Sequence, residues 1–85
     1  MSANGSDVFE VVREVGSVPT SGGAKLVARL VNVRNKPCLD FRVFVMNSAG
    51  ESVPTRRGLC IANAHARTVA DLAAKLADAA EKESE

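Results

Sequence analysis

The sequence predicts an α+β fold, in which a four-stranded antiparallel β-meander is followed by one C-terminal α-helix. Four segments are rich in Val, Leu, Ile or Phe, and the clearest of them alternates with a period of two. Three clusters of turn-forming residues separate these segments, and each is short enough for a hairpin. The last segment changes to the 3.6-residue period of an amphipathic helix. A chain of 85 residues has room for one such domain.

The first two strands are predicted over residues 8–18 and 25–36. Both are rich in Val, and a run of Pro, Thr, Ser and Gly between them marks a turn. Gly16 interrupts the first pattern and indicates a β-bulge or the end of the strand. Residues 1–7 are small and polar, which predicts a flexible tail, so the single folded domain is expected to span residues 8–83.

The third strand, residues 39–46, has the most regular alternation in the chain, and residues 35–37 are predicted to form the turn before it. On one side Arg42 and Phe44 are two residues apart, so a cation projects beside an aromatic ring. This combination suits a ligand that is both anionic and flat, such as an unpaired nucleic-acid strand. A central strand covered by a neighbouring segment explains the pattern equally well. The opposite side is purely apolar and requires a core: Leu39, Phe41, Val43 and Val45.

The fourth strand is predicted over residues 53–62, after a turn at residues 47–52. The helix is predicted from about Val69 to Lys82, with Asn63 as an alternative start. Its apolar stripe is rich in Ala, which permits close packing against the sheet or against a second copy of the helix. Because a chain this short buries a modest core, we expect a homodimer. The residues predicted to pack at this helix surface are Val69, Leu72, Ala73 and Leu76.

The formal net charge of +1 conceals a separation of charge along the chain. Residues 24–67 carry eight Lys or Arg residues against two acidic residues, a net charge of +6. The segments on either side, residues 1–23 and 68–85, are both acidic. A basic middle between acidic ends is typical of an anion-binding sheet with solvated flanks, although charges in short chains also cluster by chance.

No combination of residues indicates catalysis, so the protein is predicted not to be an enzyme. His65 is the only imidazole, and no nucleophile or carboxylate lies at a recognisable spacing from it. Cys38 and Cys60 are too few for a disulfide framework and are predicted to be buried free thiols. The residues indicate neither a metal ligand set nor a cofactor. The start of the chain has no signal-peptide pattern and no stretch is long enough to span a membrane, so we expect a soluble intracellular protein.

Three motifs follow one another at a specific spacing. Residues 39–42 read apolar-Asp-apolar-Arg, and residues 54–61 read Pro-x-basic-basic-Gly-apolar-x-apolar. A helix in which Val69 precedes Leu72 by three residues comes next. Over about residues 24–76, this order resembles the positive cofactor 4 family of transcriptional coactivators and single-stranded-DNA-binding proteins.

The resemblance implies a dimer whose concave sheet surface binds melted or single-stranded DNA without strict sequence choice. It also implies a structural role for Asp40, which orients a basic neighbour, and a basic loop that contains Lys36. Val45 and Val69 stand where the family commonly has aromatic rings. We therefore expect phosphate contacts to dominate over base stacking. The residues that match basic positions of the family's binding face are Arg34, Arg42, Arg56 and Arg57.

In this interpretation the cations contact phosphates, and Phe44 offers its ring to one base. Two alternatives remain open: a protein-interaction module that recruits a polymerase or another part of the transcription machinery, and an RNA-binding protein. The expected location is the cytoplasm or nucleoid of a prokaryote or phage host, or the nucleus of a eukaryote, without a membrane partner. The full set of candidate nucleic-acid-binding residues is Arg29, Arg34, Lys36, Arg42, Phe44, Arg56 and Arg57.

Overall fold

The computed structural model describes residues 9–84, and the tail predicted for residues 1–7 lies outside this range. One antiparallel sheet has the strand order β1-β2-β3-β4, and the helix α1 follows the last strand through a short 3-10 turn. The predicted α+β meander with one C-terminal helix is therefore confirmed. The elements are β1 (Phe9–Pro19), β2 (Lys25–Val33), β3 (Lys36–Met46), β4 (Ser52–Ala62), the 3-10 turn (Asn63–His65) and α1 (Ala66–Ser84).

The hairpin between β2 and β3 is tighter than the sequence predicted. Val33 pairs with Lys36, so only Arg34 and Asn35 form the loop, with φ angles of 53° and 67°. Two consecutive positive φ angles are typical of the type I′ turn that matches the twist of a hairpin. The predicted turn at residues 35–37 was wrong by one to two residues, because Pro37 is accommodated within the ladder. Lys36 consequently lies on a strand, and Arg34 lies in the turn.

Two irregularities bend β1 against β2. The register shifts between Val11 and Arg13 and again between Glu14 and Gly16, and each shift leaves one valine of β1 without a direct partner. Of the two interpretations of Gly16, the bulge is confirmed, because the strand continues to Pro19. Extra residues of this kind increase the local twist and disturb the ladder, which protects an edge strand from pairing with other chains.

The two faces of the sheet differ sharply in chemistry. The polar face is defined by alternate residues of β2 and β3: Lys25, Val27, Arg29, Val31, Cys38, Asp40, Arg42 and Phe44. The apolar face is defined by the residues between them and by two residues of β4: Leu26, Ala28, Leu30, Leu39, Phe41, Val43, Leu59 and Ile61.

The buried residues lie on the polar face, contrary to the sequence prediction. Val27 and Val31 are 0% exposed, Asp40 is 1% exposed and Phe44 is 7% exposed. The apolar face, which was expected to contain the core, remains half-exposed, and Leu59 at its edge is 56% exposed. The sheet therefore buries the centre of its polar face and leaves its apolar face half-exposed within the described part of the chain.

The helix α1 does not supply that layer. Its main contacts are with the preceding 3-10 turn and not with any strand. Val69 is half-buried, but Leu72 and Leu76 are 54% and 71% exposed, and Ala73 is exposed as well. α1 begins at Ala66, between the two predicted starts at Asn63 and Val69.

Candidate nucleic-acid interface

A buried carboxylate lies at the centre of the polar face and binds two guanidinium groups. Asp40 accepts hydrogen bonds through Oδ2 from Nε and Nη2 of Arg29, at 2.9 and 2.7 Å. Its Oδ1 accepts a short hydrogen bond from Nη2 of Arg42. The carboxylate side chain is 0% exposed, and those of Arg29 and Arg42 are 10% and 16% exposed. The cluster has one more positive than negative charge, so it remains cationic after pairing.

Two opposed effects act on the pKa of Asp40. Burial of the carboxylate is the largest single effect and by itself would raise the pKa. Hydrogen bonds from Arg42 and then from Arg29, with the attraction of their charges, outweigh it and hold the pKa below its ordinary value of 3.8. Pairing with Asp40 also raises the pKa of Arg42. Asp40 is therefore ionised near neutral pH, and the structure supports the orienting role that the sequence suggested for it.

Aromatic rings fix the position of Arg29. Its guanidinium carbon lies 5.8 Å from the ring centre of Phe9 and 5.5 Å from that of Phe44, within cation–π range. The proposed base-stacking role of Phe44 requires correction, because a ring that is 7% exposed and faces Arg29 has little surface for a base. Both residues stabilise the interior of the polar face in the isolated chain, and direct contact of Arg29 with a ligand stays a prediction.

A bulge in β4 presents two arginines beside this cluster. Arg42 pairs with Gly58 and Phe44 pairs with Pro54, so three residues of β4 oppose only one residue of β3. Thr55 fixes the bulge, because its hydroxyl donates to the carbonyl of Val43 at 2.7 Å and accepts from the backbone N–H of Arg57 at 3.1 Å. Bulges commonly redirect side chains next to functional sites.

The cluster and the bulge are directly linked. Nη1 of Arg42 donates to the backbone carbonyl of Arg56 at 3.1 Å. Arg42 therefore connects the buried carboxylate to the bulge that carries Arg56 and Arg57. Both of these arginines are exposed, and neither forms a salt bridge with any residue in the described range 9–84.

The remaining predicted cations lie at the other end of the sheet. Lys36 begins β3 on the same side as Arg42, and six residues of strand at about 3.3 Å each separate the two by roughly 20 Å. Arg34 lies in the adjoining turn, and it is exposed like Lys36. The structure thus brings Arg29 and Arg42 together next to the backbone of Arg56, with Arg57 following in the bulge, and leaves Arg34 and Lys36 as a separate pair.

Two residues of this region were not predicted from the sequence. Phe9 contacts Arg29, and Lys25 stands directly opposite Phe44 on the polar face, where it is half-buried. Lys25 could have been identified from the sequence, since it begins a strand within the basic segment. Phe9 could not, because its contact with Arg29 depends on the register of β1 against β2.

Other kinds of site have little support. Within the part of the chain that the structure describes, no group of three or more His, Cys, Asp or Glu residues could hold a metal ion. His65 is exposed in the 3-10 turn. No helix among these residues is long and apolar enough to cross a membrane. The prediction that both cysteines are buried was wrong, because Cys38 is half-buried and Cys60 is exposed.

The structure therefore defines a class of protein: a single antiparallel sheet with one cationic face, one apolar face and a projecting helix. Comparison of the chain with protein-family models, with curated protein sequences and with solved structures finds no match.

Proposed function

We propose that this protein binds single-stranded nucleic acid, with DNA as the preferred ligand, and that phosphate contacts on the polar face provide most of the affinity. The observation that carries the proposal is the position of Arg56 and Arg57 at a bulge next to the Arg29–Asp40–Arg42 cluster. Both are exposed, and neither forms a salt bridge with an acidic residue among residues 9–84. The resemblance to the positive cofactor 4 family supports the same function from the sequence.

The proposed mechanism separates the cations by role. Arg56 and Arg57 contact phosphates directly, because their guanidinium groups are exposed. Asp40 holds Arg42 in place below them, so that the bulge keeps its shape when a strand binds. Lys36 and Arg34 receive the strand at the far end of β3. Because the rings of Phe9 and Phe44 are engaged with Arg29, base stacking contributes little, and sequence preference is weak.

Binding of a fluorescent single-stranded oligonucleotide of about 16 nucleotides tests the proposal. We expect binding at low ionic strength, with log K falling linearly with log salt by about 0.7 per phosphate contacted. Four to six contacts correspond to a slope of about −3 to −4. Absence of binding at about 50 mM salt, or tighter binding of the duplex, would contradict the proposal. Tighter binding of the RNA strand would favour the RNA alternative.

Charge reversal identifies the residues that contact phosphates. We expect the variant Arg56→Glu/Arg57→Glu to bind at least about tenfold more weakly, because each lost hydrogen bond to a charged group is worth about 1.5 kcal/mol or more. Its salt slope should decrease in magnitude by about 1.4. The control is Arg67→Glu/Lys82→Glu, which makes the same change of net charge at exposed positions of α1. Equal weakening of both variants would indicate a general effect of charge and not this interface.

We further propose that the binding form is a homodimer in which the stripe of α1 from each copy covers the apolar face of the other. Domains bury their elements in two packed layers, and residues 9–84 of this chain provide only one. An exposed apolar sheet face and an exposed helix stripe with Leu72 and Leu76 occur together in the same molecule. Pairing of two copies would cover both surfaces at once.

Substitution of the helix stripe tests the dimer. We expect sedimentation to give a dimer for the unmodified protein at micromolar concentration and a monomer for Leu72→Asp/Leu76→Asp, because two carboxylates would be buried unpaired. Ala74→Asp introduces a charge on the opposite side of the same helix and should leave the dimer intact. The melting temperature of the unmodified protein should rise with protein concentration. A monomer with a concentration-independent melting temperature would rule out the dimer.

A further inference from the structure

The two cysteines of the chain are neighbours in the sheet, although 21 residues separate them in sequence. Cys60 of β4 pairs directly with Asp40, and Cys38 precedes Asp40 by two residues on β3. Cys38 and Cys60 therefore project from the same face as diagonal cross-strand neighbours. The thiol of Cys38 is close enough to that of Cys60 to raise the pKa of Cys60.

We propose that Cys38 and Cys60 form a reversible redox site, a dithiol that a low-molecular-weight disulfide such as oxidised glutathione converts to one intrachain cross-strand disulfide. The proximity of the two thiols follows from strand register, so it is a property of the fold and not of a flexible segment. Nothing in this inference requires nucleic acid, so its failure and the failure of the proposed function are separate outcomes.

The reaction balances in two exchange steps. The thiolate of Cys60 attacks one sulfur of oxidised glutathione, the glutathione S–S bond breaks, and one glutathione leaves. The thiolate of Cys38 then attacks Sγ of Cys60 in the mixed disulfide and displaces the second glutathione. Two protein thiols lose two electrons and two protons, and one glutathione disulfide becomes two glutathione thiols.

Exposure decides which sulfur reacts first. Cys60 is exposed and Cys38 is half-buried, so the oxidant meets Cys60 and Cys38 completes the bond. Desolvation of its thiol by the surrounding chain, followed by the neighbouring Cys38, raises the pKa of Cys60, so the thiolate is scarce at neutral pH and the first step is slow there. The groups that face Cys60 from β3 are Cys38, Asp40 and Arg42.

The position of β4 makes the bond sterically accessible. Diagonal neighbours in a sheet have Cα atoms about 7–8 Å apart, whereas disulfides require about 4.4–6.8 Å, so the strands must approach slightly. β4 is the last strand in the order β1-β2-β3-β4, and its other edge pairs with no described strand. A small shift of β4 therefore changes its pairing with no described strand other than β3.

The test is oxidation of the full chain with excess oxidised glutathione at about pH 8.5, followed by thiol titration and mass spectrometry. We expect both free thiols to disappear, the mass to fall by about 2 Da, and dithiothreitol to reverse the change. Peptide mapping should link Cys38 to Cys60 within one chain. Persistent glutathione adducts, interchain disulfides in dilute protein, or two thiols that remain free would each overturn the inference.

Thermal unfolding provides an independent measurement on the same protein. Closing a loop of this length constrains the unfolded chain, so the oxidised form should melt roughly 10 °C above the reduced form. A lower melting temperature after oxidation would show that the native sheet opposes the bond, and would overturn the inference. The single variants Cys38→Ser and Cys60→Ser are the controls, because the same treatment should leave their melting temperatures unchanged after adducts are removed.

Discussion

Replacement of Asp40 by asparagine is expected to destabilise the fold by about 3–5 kcal/mol. The side chain of Asp40 is 0% exposed and binds the guanidinium groups of Arg29 and Arg42. Asparagine has nearly the same shape but no charge, and its amide nitrogen would direct hydrogen-bond donors at other donors. Both arginines would then remain partly buried without a counter-ion, which is the costly outcome for a buried ion pair.

Denaturant unfolding followed by circular dichroism measures this effect, with Asp78→Asn as the control. Asp78 lies on the exposed surface of α1 and forms no salt bridge with another described residue. The control should therefore change the free energy of unfolding by less than about 0.5 kcal/mol. Equal, small effects of the two substitutions would show that the buried cluster does not hold the polar face together.

The difference in the free energy of unfolding between the unmodified protein and Asp40→Asn should depend on pH in a definite direction. The pKa of Asp40 is lower in the folded chain than its ordinary value of 3.8, so the folded state favours the ionised carboxylate. The stabilisation from this group is complete above pH 3.8, and it is lost as the pH falls below 3.8 through the folded pKa. The difference in stability between the unmodified protein and Asp40→Asn should therefore shrink in acid and stay constant near neutral pH.

The order of elements could be predicted because each carried a local signal. The period-two pattern of residues 39–46 identified a strand, and Gly16 identified a bulge that the register of β1 contains. The change of period after the last strand identified the helix. These features depend only on residues that are close in sequence, so the sequence alone is enough to identify them. The β2–β3 turn was misplaced, because Pro37 was taken as a breaker while the left-handed conformation fell on Arg34 and Asn35.

The distribution of burial could not be predicted, because it depends on contacts between distant residues. The alternating pattern assigned Leu39 and Phe41 to the core, and the position of Phe44 beside Arg42 assigned its ring to a ligand. In the structure Phe44 is buried, and its ring contacts the guanidinium group of Arg29. Arg29 in turn donates hydrogen bonds to Asp40 on the neighbouring strand. The buried carboxylate of Asp40 binds Arg29, a partner that only strand register brings to it. The apolar face therefore remains half-exposed.

Gly58→Ala is expected to be the most damaging conservative substitution outside the carboxylate cluster, with a loss of about 3 kcal/mol or more. Gly58 has a φ angle of 138°, which residues with a Cβ atom rarely adopt. A Cβ atom there would lie 2.1 Å from the backbone oxygen of Phe41 and 2.9 Å from Cα of Arg42. Both contacts are with backbone, so no side-chain rotation relieves them, and β4 would have to separate from β3.

The matched control is Gly16→Ala, the same chemical change in another strand. Gly16 has no atom within 4 Å of an added Cβ, so this variant should stay within about 1 kcal/mol of the unmodified protein. Since Gly58 pairs with Arg42 at the edge of the bulge, its substitution should also weaken oligonucleotide binding under the proposed function. A Gly58→Ala protein as stable as the control would mean that the bulge relaxes freely, and a bulge that relaxes freely could not hold Arg56 and Arg57 in one position.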